Sequence, residues 1–255
     1  MSFPTTAFPG LQIARVDRTG VEELVLDGLE QGRGGWVVTA NLSILRQCAT
    51  DPSLRLLVAG ADIVVADGTP LVWASRLARR PVPERIAGSD LIWTLTANAA
   101  SARRSIYLLG GQPRSAELAA ARLAEHASSL RIAGWHCPPY GFEHDPSQMD
   151  LLTSQLTSSR PDIVYVGLGF PKQDLIIRQL HDMLPATWFI GVGVSIDFVA
   201  GHVRRAPQWT HDLGAEWLFR LSQEPKKLAG RYIANDLPFA WRLFRWALRE
   251  RRAPS

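Results

Sequence analysis

Six short apolar runs constrain this chain more than anything else in it. They are WVVTAN (36–41), ADIVVAD (61–67), SIYLLGG (105–111), residues 131–136, DIVYVGLG (162–169) and TWFIGVGVSID (187–197). Most close on a polar residue or a glycine and open into a stretch with helical spacing. A strand apolar at consecutive positions is buried on both faces, which requires a parallel sheet with helices on both sides. The reading is an α/β fold: a Rossmann-like, mostly parallel sheet with helices on both faces. The spacing predicts helices over 19–31 with Thr19 as N-cap, over 42–49, from Asp51-Pro52, over 68–80, from Ser89, from near Pro113 and from Pro171. No repeat or low-complexity linker interrupts the pattern before about residue 200, where strand signals stop. Residues 205–221 read as helical, Pro225 breaks them, and 227–252 are aromatic and arginine-rich. The expected division is an α/β domain over 1–200 and a helical C-terminal appendage over 201–255.

With 46% hydrophobic and 20% charged residues, the 255-residue chain can build a core and is not disordered. Two cysteines, Cys48 and Cys137, exclude a disulfide framework and suit a reducing cytosol. No apolar run is long enough to span a bilayer, and the N-terminus lacks the pattern of a secretory signal. The net charge of +4 is unevenly spread: residues 226–255 hold eight basic and two acidic residues. A near-neutral body with one basic end argues against a nucleic-acid coat and for an acidic surface met at that end.

In a parallel α/β sheet, ligands bind beyond the carboxyl ends of the strands. The residues there are Thr39 and Asn41; Asp67 and Gly68; Gly110, Gly111 and Gln112; Gly167, Gly169, Lys172 and Gln173; and Gly191, Gly193 and Asp197. Three of these are glycine turns of the kind that presents backbone N–H groups to phosphate, although tight turns need glycine in any case. A dinucleotide fingerprint, a P-loop and a G-x-S-x-G elbow are all missing. The six histidines are scattered, no D-x-D occurs, and Glu143-His144-Asp145 reads as a solvated loop, so no metal site is expected. A bound diphosphate would be neutralised by Arg, Lys and helix N-termini. Asp67 is either an N-cap or a general base. Arg85 is either a surface charge or an anion clamp, and Asp197 either a cap or a ribose contact.

Seven blocks, in order, then point to a family. They are TANLSIL (39–45), VADGTPLVWASRL (65–77), PERIAGSDL (83–91), YLLGGQP (107–113), GLGFPKQD (167–174), GVGVSIDFVAGHVRRAPQW (191–209) and LGAEWLFRLSQEPKKLAGRY (213–232). Together they resemble the WecG/TagA/CpsF glycosyltransferases, glycosyltransferase family 26. The resemblance implies an inverting, cofactor-free and metal-independent transfer of a sugar from a UDP-sugar to a polyprenyl-diphosphate-linked saccharide. The sugar would be N-acetylmannosamine, its uronic acid or glucose, in bacterial cell-surface polysaccharide synthesis. It implies Asp67 as base, Thr39 and Asn41 near sugar and phosphates, Arg85 and Gln173 at the site, and Asp197 at the nucleoside. Asp174 stands where the family has Glu. The helix N-terminus after Gly110-Gly111 would face phosphate. Tail arginines that help hold diphosphate match Arg220 and Arg231, while Lys226 and Lys227 stand where an arginine is common.

The segment LPFAWRLFRWALRE (237–250) has helical period. Leu237, Trp241, Phe244 and Leu248 share a face, flanked by Ala240, Leu243 and Ala247, and Arg242, Arg245 and Arg249 lie on another. The reading is an interfacial helix that holds the protein, through 227–255, on the anionic inner leaflet of the cell membrane, as a cytoplasmic peripheral protein. The competing reading of that segment is a terminal helix packed on the body. Self-association is left open. For the whole chain, the competing functions are a catalytically silent nucleotide-sugar-binding protein and a nicotinamide-dependent oxidoreductase, the second disfavoured by the missing fingerprint.

Overall fold

The computed structural model describes residues 3–204, 219, 221 and 230–252, with the side chains of 231–233 outside that description. The parallel sheet is present. Its strands are β3 (Gly35–Ala40), β4 (Ile63–Ala66), β5 (Ser105–Gly110), β6 (Arg131–His136), β7 (Ile163–Gly167) and β8 (Trp188–Gly191), in the order β4-β3-β8-β7-β5-β6, every pair parallel. Alternate residues of each strand serve two cores. Val37, Ile106, Leu108, Ile163, Tyr165 and Ile190 face one way, toward α1 (Arg18–Glu30), α5 (Gly88–Ser101), α6 (Ser115–His126) and α9 (Ser195–Ala200). Trp36, Val38, Tyr107, Leu109, Val164 and Phe189 face the other, toward α2 (Leu42–Thr50), α3 (Pro52–Ala59), α4 (Thr69–Leu77), α7 (Pro146–Ser159) and α8 (Lys172–Met183). Burial on both faces is what made the strands read as unbroken apolar runs.

Helix α7 was not expected, and four further features differ from the sequence reading. An antiparallel hairpin, β1 (Thr5–Phe8) and β2 (Leu11–Ala14), precedes the sheet and was not expected. Helix α1 is capped by Asp17, whose carboxylate accepts the Gly20 N–H at 2.8 Å, rather than by Thr19. The last strand stops at Gly191. Gly193, at φ +55°, turns the chain, and Asp197 therefore sits inside α9 rather than at a strand end.

The fourth difference is the C-terminal helix, α10 (Leu237–Glu250), which forms over the expected residues but does not stand apart from the body. Phe239, Leu243 and Ala247, spaced four apart, are buried in the core beside α4, and Trp246 packs on Phe8 with ring centroids 5.3 Å apart. Arg46 Nε reaches Asp236 at 3.1 Å and Arg80 reaches Glu250 at 3.6 Å. Packing on the body is therefore real. It uses a different face from the stripe read in the sequence, of which Leu237, Trp241 and Leu248 remain 45%, 61% and 42% exposed. Among the described residues no helix is long and apolar enough to cross a membrane. The expected helix over 205–221, Arg220, Lys226, Lys227 and the Arg231 side chain lie outside the described residues.

Candidate active site

The carboxyl ends of β3, β4, β5, β7 and β8 meet on one edge, and the chain's own backbone bonds set the spacing there. The Asp67 N–H donates to Ala40 O at 2.8 Å, extending the β3–β4 ladder one residue and bringing Asp67-Gly68 alongside Asn41. The Ile86 N–H donates to Ala66 O at 2.8 Å, which folds the 81–87 loop back over the end of β4. Arg85 consequently arrives beside Asp67, with Nη1 4.0 Å from Asp67 Oδ1, while its Nη2 lies 3.1 Å from Asp90 Oδ2. Both side chains of the Asp67–Arg85 pair are partly exposed, so they face solvent across the edge. The N-cap of α4 is Gly68, not Asp67. That places the Asp67 carboxyl at the end of the strand, where a base for an incoming hydroxyl would stand.

Thr39 and Asn41 are both at this edge, with their oxygen atoms engaged. Thr39 Oγ1 donates to Gly191 O at 2.7 Å, tying β3 to β8. Asn41 Oδ1 caps α2, accepting the N–H groups of Ser43 and Ile44 at 3.1 Å each. Capping fixes the orientation of the Asn41 amide, whose NH₂ is the donor that a ligand would meet.

On the other side of the centre, Gly110 and Gly111 have φ of +105° and +81°, and the Gly111 N–H donates to Gly167 O at 3.0 Å. Asp197, 8% exposed, holds this turn: the Gln112 N–H donates to its Oδ1 at 2.8 Å and the Ser115 hydroxyl at 2.6 Å. Ser115 Oγ is in turn 2.8 Å from His202 Nδ1. Asp197 thus does the capping work for the turn that leads into α6, with one of its two oxygens. A ribose hydroxyl would have to use the other. Gln173, 3% exposed, accepts the Gly193 N–H on Oε1 at 3.2 Å and so fixes the third glycine turn. Glu143 is bound to Lys172 at 3.0 Å, and Asp145 caps α7, so neither is a free loop acid. Lys172 Nζ also lies 5.1 Å from the centre of the Tyr140 ring, which is fully exposed.

The edge therefore collects Thr39, Asn41, Asp67, Arg85, Gly110, Gly111, Gln173 and Asp197. Asp90, Ser115 and His202, partners of Arg85 and Asp197, were not singled out from the sequence. Asp90 was visible in principle, five residues after Arg85 in the same block. Among the described residues, no three His, Cys, Asp or Glu side chains gather as metal ligands.

The turn gives a first prediction. A Cβ at Gly110 would lie 2.5 Å from Gly167 O and 2.8 Å from Gly167 C, both backbone atoms, in a conformation that L-residues rarely adopt. Gly110→Ala is expected to destabilise the fold by about 1–3 kcal/mol. Thermal unfolding of the variant beside wild type checks this, and an unchanged melting temperature would show that the turn tolerates a side chain.

Comparison with known proteins identifies the family and a relative of the chain. Residues 6–253 match the model of the glycosyl transferase WecG/TagA/CpsF family. An N-acetylglucosaminyldiphosphoundecaprenol N-acetyl-beta-D-mannosaminyltransferase of Bacillus spizizenii is 28% identical over 207 residues, covering 81% of this chain and 78% of that protein.

Proposed function

The chain belongs to the WecG/TagA/CpsF family of glycosyltransferases, and from that premise we propose that it moves a sugar from a UDP-sugar to a polyprenyl-diphosphate-linked saccharide, with inversion and without a metal. The acceptor class is supported by the Bacillus relative, whose name specifies a diphosphoundecaprenol-linked N-acetylglucosamine. The same name makes UDP-N-acetylmannosamine the first donor to try, ahead of its uronic acid and UDP-glucose.

The observation that carries the mechanism is the juxtaposition of Asp67 and Arg85 at the ends of β3 and β4. The acceptor hydroxyl attacks the anomeric carbon from the face opposite UDP. Its proton passes to the Asp67 carboxylate as the new C–O bond forms. The bond from the anomeric carbon to the β-phosphate oxygen breaks, and UDP leaves with that electron pair, so configuration inverts. Charge on the departing diphosphate is met by the Arg85 guanidinium, with Arg220 and Arg231 as further cations. Thr39 and Asn41 lie on the sugar and phosphate side, and Asp197 on the nucleoside side. In this reading residues 1–200 form the catalytic domain, and 201–255 bring it to the inner face of the membrane.

The test is a screen of the three UDP-sugars with a polyprenyl-diphosphate-linked N-acetylglucosamine acceptor, run with and without saturating EDTA. Transfer from one of them, equal in both arms, is the expected result. Activity lost in EDTA and restored by Mg²⁺ would overturn the metal-free neutralisation of the diphosphate. UDP binding with no transfer from any donor would favour the silent-binder reading instead.

A further inference from the structure

Directly beneath this edge lies a carboxyl group that the mechanism does not use. Asp174, the third residue of α8, is completely buried, and neither of its oxygens has a hydrogen-bond partner among the described residues. The Trp36 indole N–H is likewise buried without a partner. An unpaired polar group inside a fold is destabilising, and an unpaired charge far more so. Such a residue needs a reason to be where it is. A Cβ placed on Gly191 would lie 2.5 Å from Gln173 Nε2 and 3.8 Å from Asp174 Oδ1. The Gln173 amide and the Asp174 carboxyl thus share the space left by this glycine, whose carbonyl on the opposite strand contact accepts the Thr39 hydroxyl.

We infer that Asp174 is a positioning residue for sugar transfer: it touches no substrate, and acts on the site through the Gln173 amide and the backbone of Gly191 and Gly193. The inference rests on the reading of this edge as the transfer site. In the neutral acid form, Asp174 leaves the Gln173 amide alone, and Gln173 Oε1 keeps the Gly193 N–H. Once ionised, the carboxylate has to find a donor. The nearest are Gln173 Nε2 and Trp36 Nε1. Capture of the Gln173 amide turns that side chain and releases the Gly193 turn.

Burial pushes the Asp174 carboxyl up to about 7, against the weaker opposing pull of the Gln173 amide and the Trp36 indole, so the exchange falls in the working pH range. The surroundings offer no counter-charge. Packed against α8 are β3, β7, β8 and α3. Of their titratable groups, Tyr165 on β7 faces the other core and bonds Thr96. Arg55 on α3 is turned to the carbonyls of Cys48 and Ala49. Cys48 faces Asp174 from α2, but burial, reinforced by the nearby Asp174 charge, pushes its thiol to about 12, so it stays neutral.

The experiment is a pH profile of kcat and KM for wild type, Asp174→Asn and Asp174→Glu, with thermal unfolding measured over the same range. Wild-type kcat/KM should fall about tenfold from its plateau to pH 8 through one ionisation near 7. Asn, which cannot ionise, should flatten that limb to less than twofold, and Glu should keep it. Stability has a definite sign. The native state binds the Asp174 proton between about pH 4 and 7 where the unfolded chain has lost it, so wild-type stability falls across that window and levels off above it. Asn should remove the slope. An Asn variant that keeps the wild-type alkaline limb overturns the inference, as does an Asn variant whose activity is lowered equally at every pH. If Asn does not fold, difference infrared spectroscopy of the wild type between pH 6 and 8 reads the same event: loss of a protonated-carboxyl C=O stretch supports the inference, and its absence overturns it. Absence of transfer from wild type at every pH would instead count against the function proposed above, and the unfolding slope would still decide the state of Asp174.

Discussion

Asp67→Asn should lower sugar transfer by roughly 100-fold or more, the usual contribution of a general base, while UDP affinity changes less than threefold. The substitution keeps the shape of the side chain, and removes its negative charge together with the capacity to take a proton. Geometry separates this from a folding defect. The backbone of residue 67 is held by its N–H bond to Ala40, and the N-cap position of the following helix is Gly68. Single-turnover transfer and UDP titration should be measured on the same protein. Loss in kcat with an intact nucleotide complex fits a base. A variant with near-wild-type turnover removes Asp67 from proton transfer. An equal fall in UDP affinity would mean that the carboxylate serves mainly to hold Arg85. Asp90 sharpens the distinction, since it grips the same guanidinium at 3.1 Å and keeps Arg85 in place when Asp67 loses its charge.

How much of this could be read before folding depended on the range of each interaction. The six main strands were legible because two-sided burial writes itself into consecutive residues. The β1–β2 hairpin was not, since each strand has four residues and too few alternations to stand out. Helix α7 was hidden for a related reason: in a polar 14-residue segment only Leu152 and Leu156 are buried. Val192 and Ile196 made 187–197 look like one long strand, and only the left-handed turn at Gly193 divides it. At the site, residues that end strands were found by the rule that ligands bind there, so Asn41, Asp67, Gly110, Gly111 and Gln173 emerged as candidates. Their partners did not. Asp197 is joined to Ser115 across 82 residues and Ser115 to His202 across 87, separations at which spacing carries no signal. Asp174 is the sharpest case. An acid in the first turn of a helix, after Lys172 and Gln173, reads as a solvated charge favoured by the helix dipole. Only the three-dimensional packing reveals that it is sealed under Gly191.

The tail yields the second large effect, and the structure changes which substitution reveals it. Deleting α10 would uncover the core that Phe239, Leu243 and Ala247 cover. Losing a buried Phe or Leu alone costs several kcal/mol, a large share of the 5–15 kcal/mol that keeps a typical domain folded. A truncated chain is expected to unfold or aggregate, which says nothing about membranes. The informative variant leaves that face alone and changes the exposed one: Leu237→Glu, Trp241→Glu and Leu248→Glu together. These positions are separated by four and seven residues, so they form one stripe, and Trp241 carries the Arg245 guanidinium 4.5 Å from its ring centre. A tryptophan under an arginine, flanked by leucines, suits the boundary between headgroups and acyl chains. Arg242, Arg245, Arg249, Arg251 and Arg252 add attraction of about 1 kcal/mol each near an anionic surface. The triple variant should melt within a few degrees of wild type. Its partition onto vesicles containing anionic lipid should fall at least tenfold, and transfer to a long-chain polyprenyl acceptor in those vesicles should fall with it. Transfer to a short-chain acceptor in detergent should be retained, because the Asp67–Arg85 edge is untouched. High salt should weaken the wild-type partition, since the arginines act through a screened field. If the triple variant sediments with anionic vesicles as wild type does, the exposed stripe of α10 is not the membrane-facing surface. If it unfolds, the stripe belongs to the packing of the protein itself.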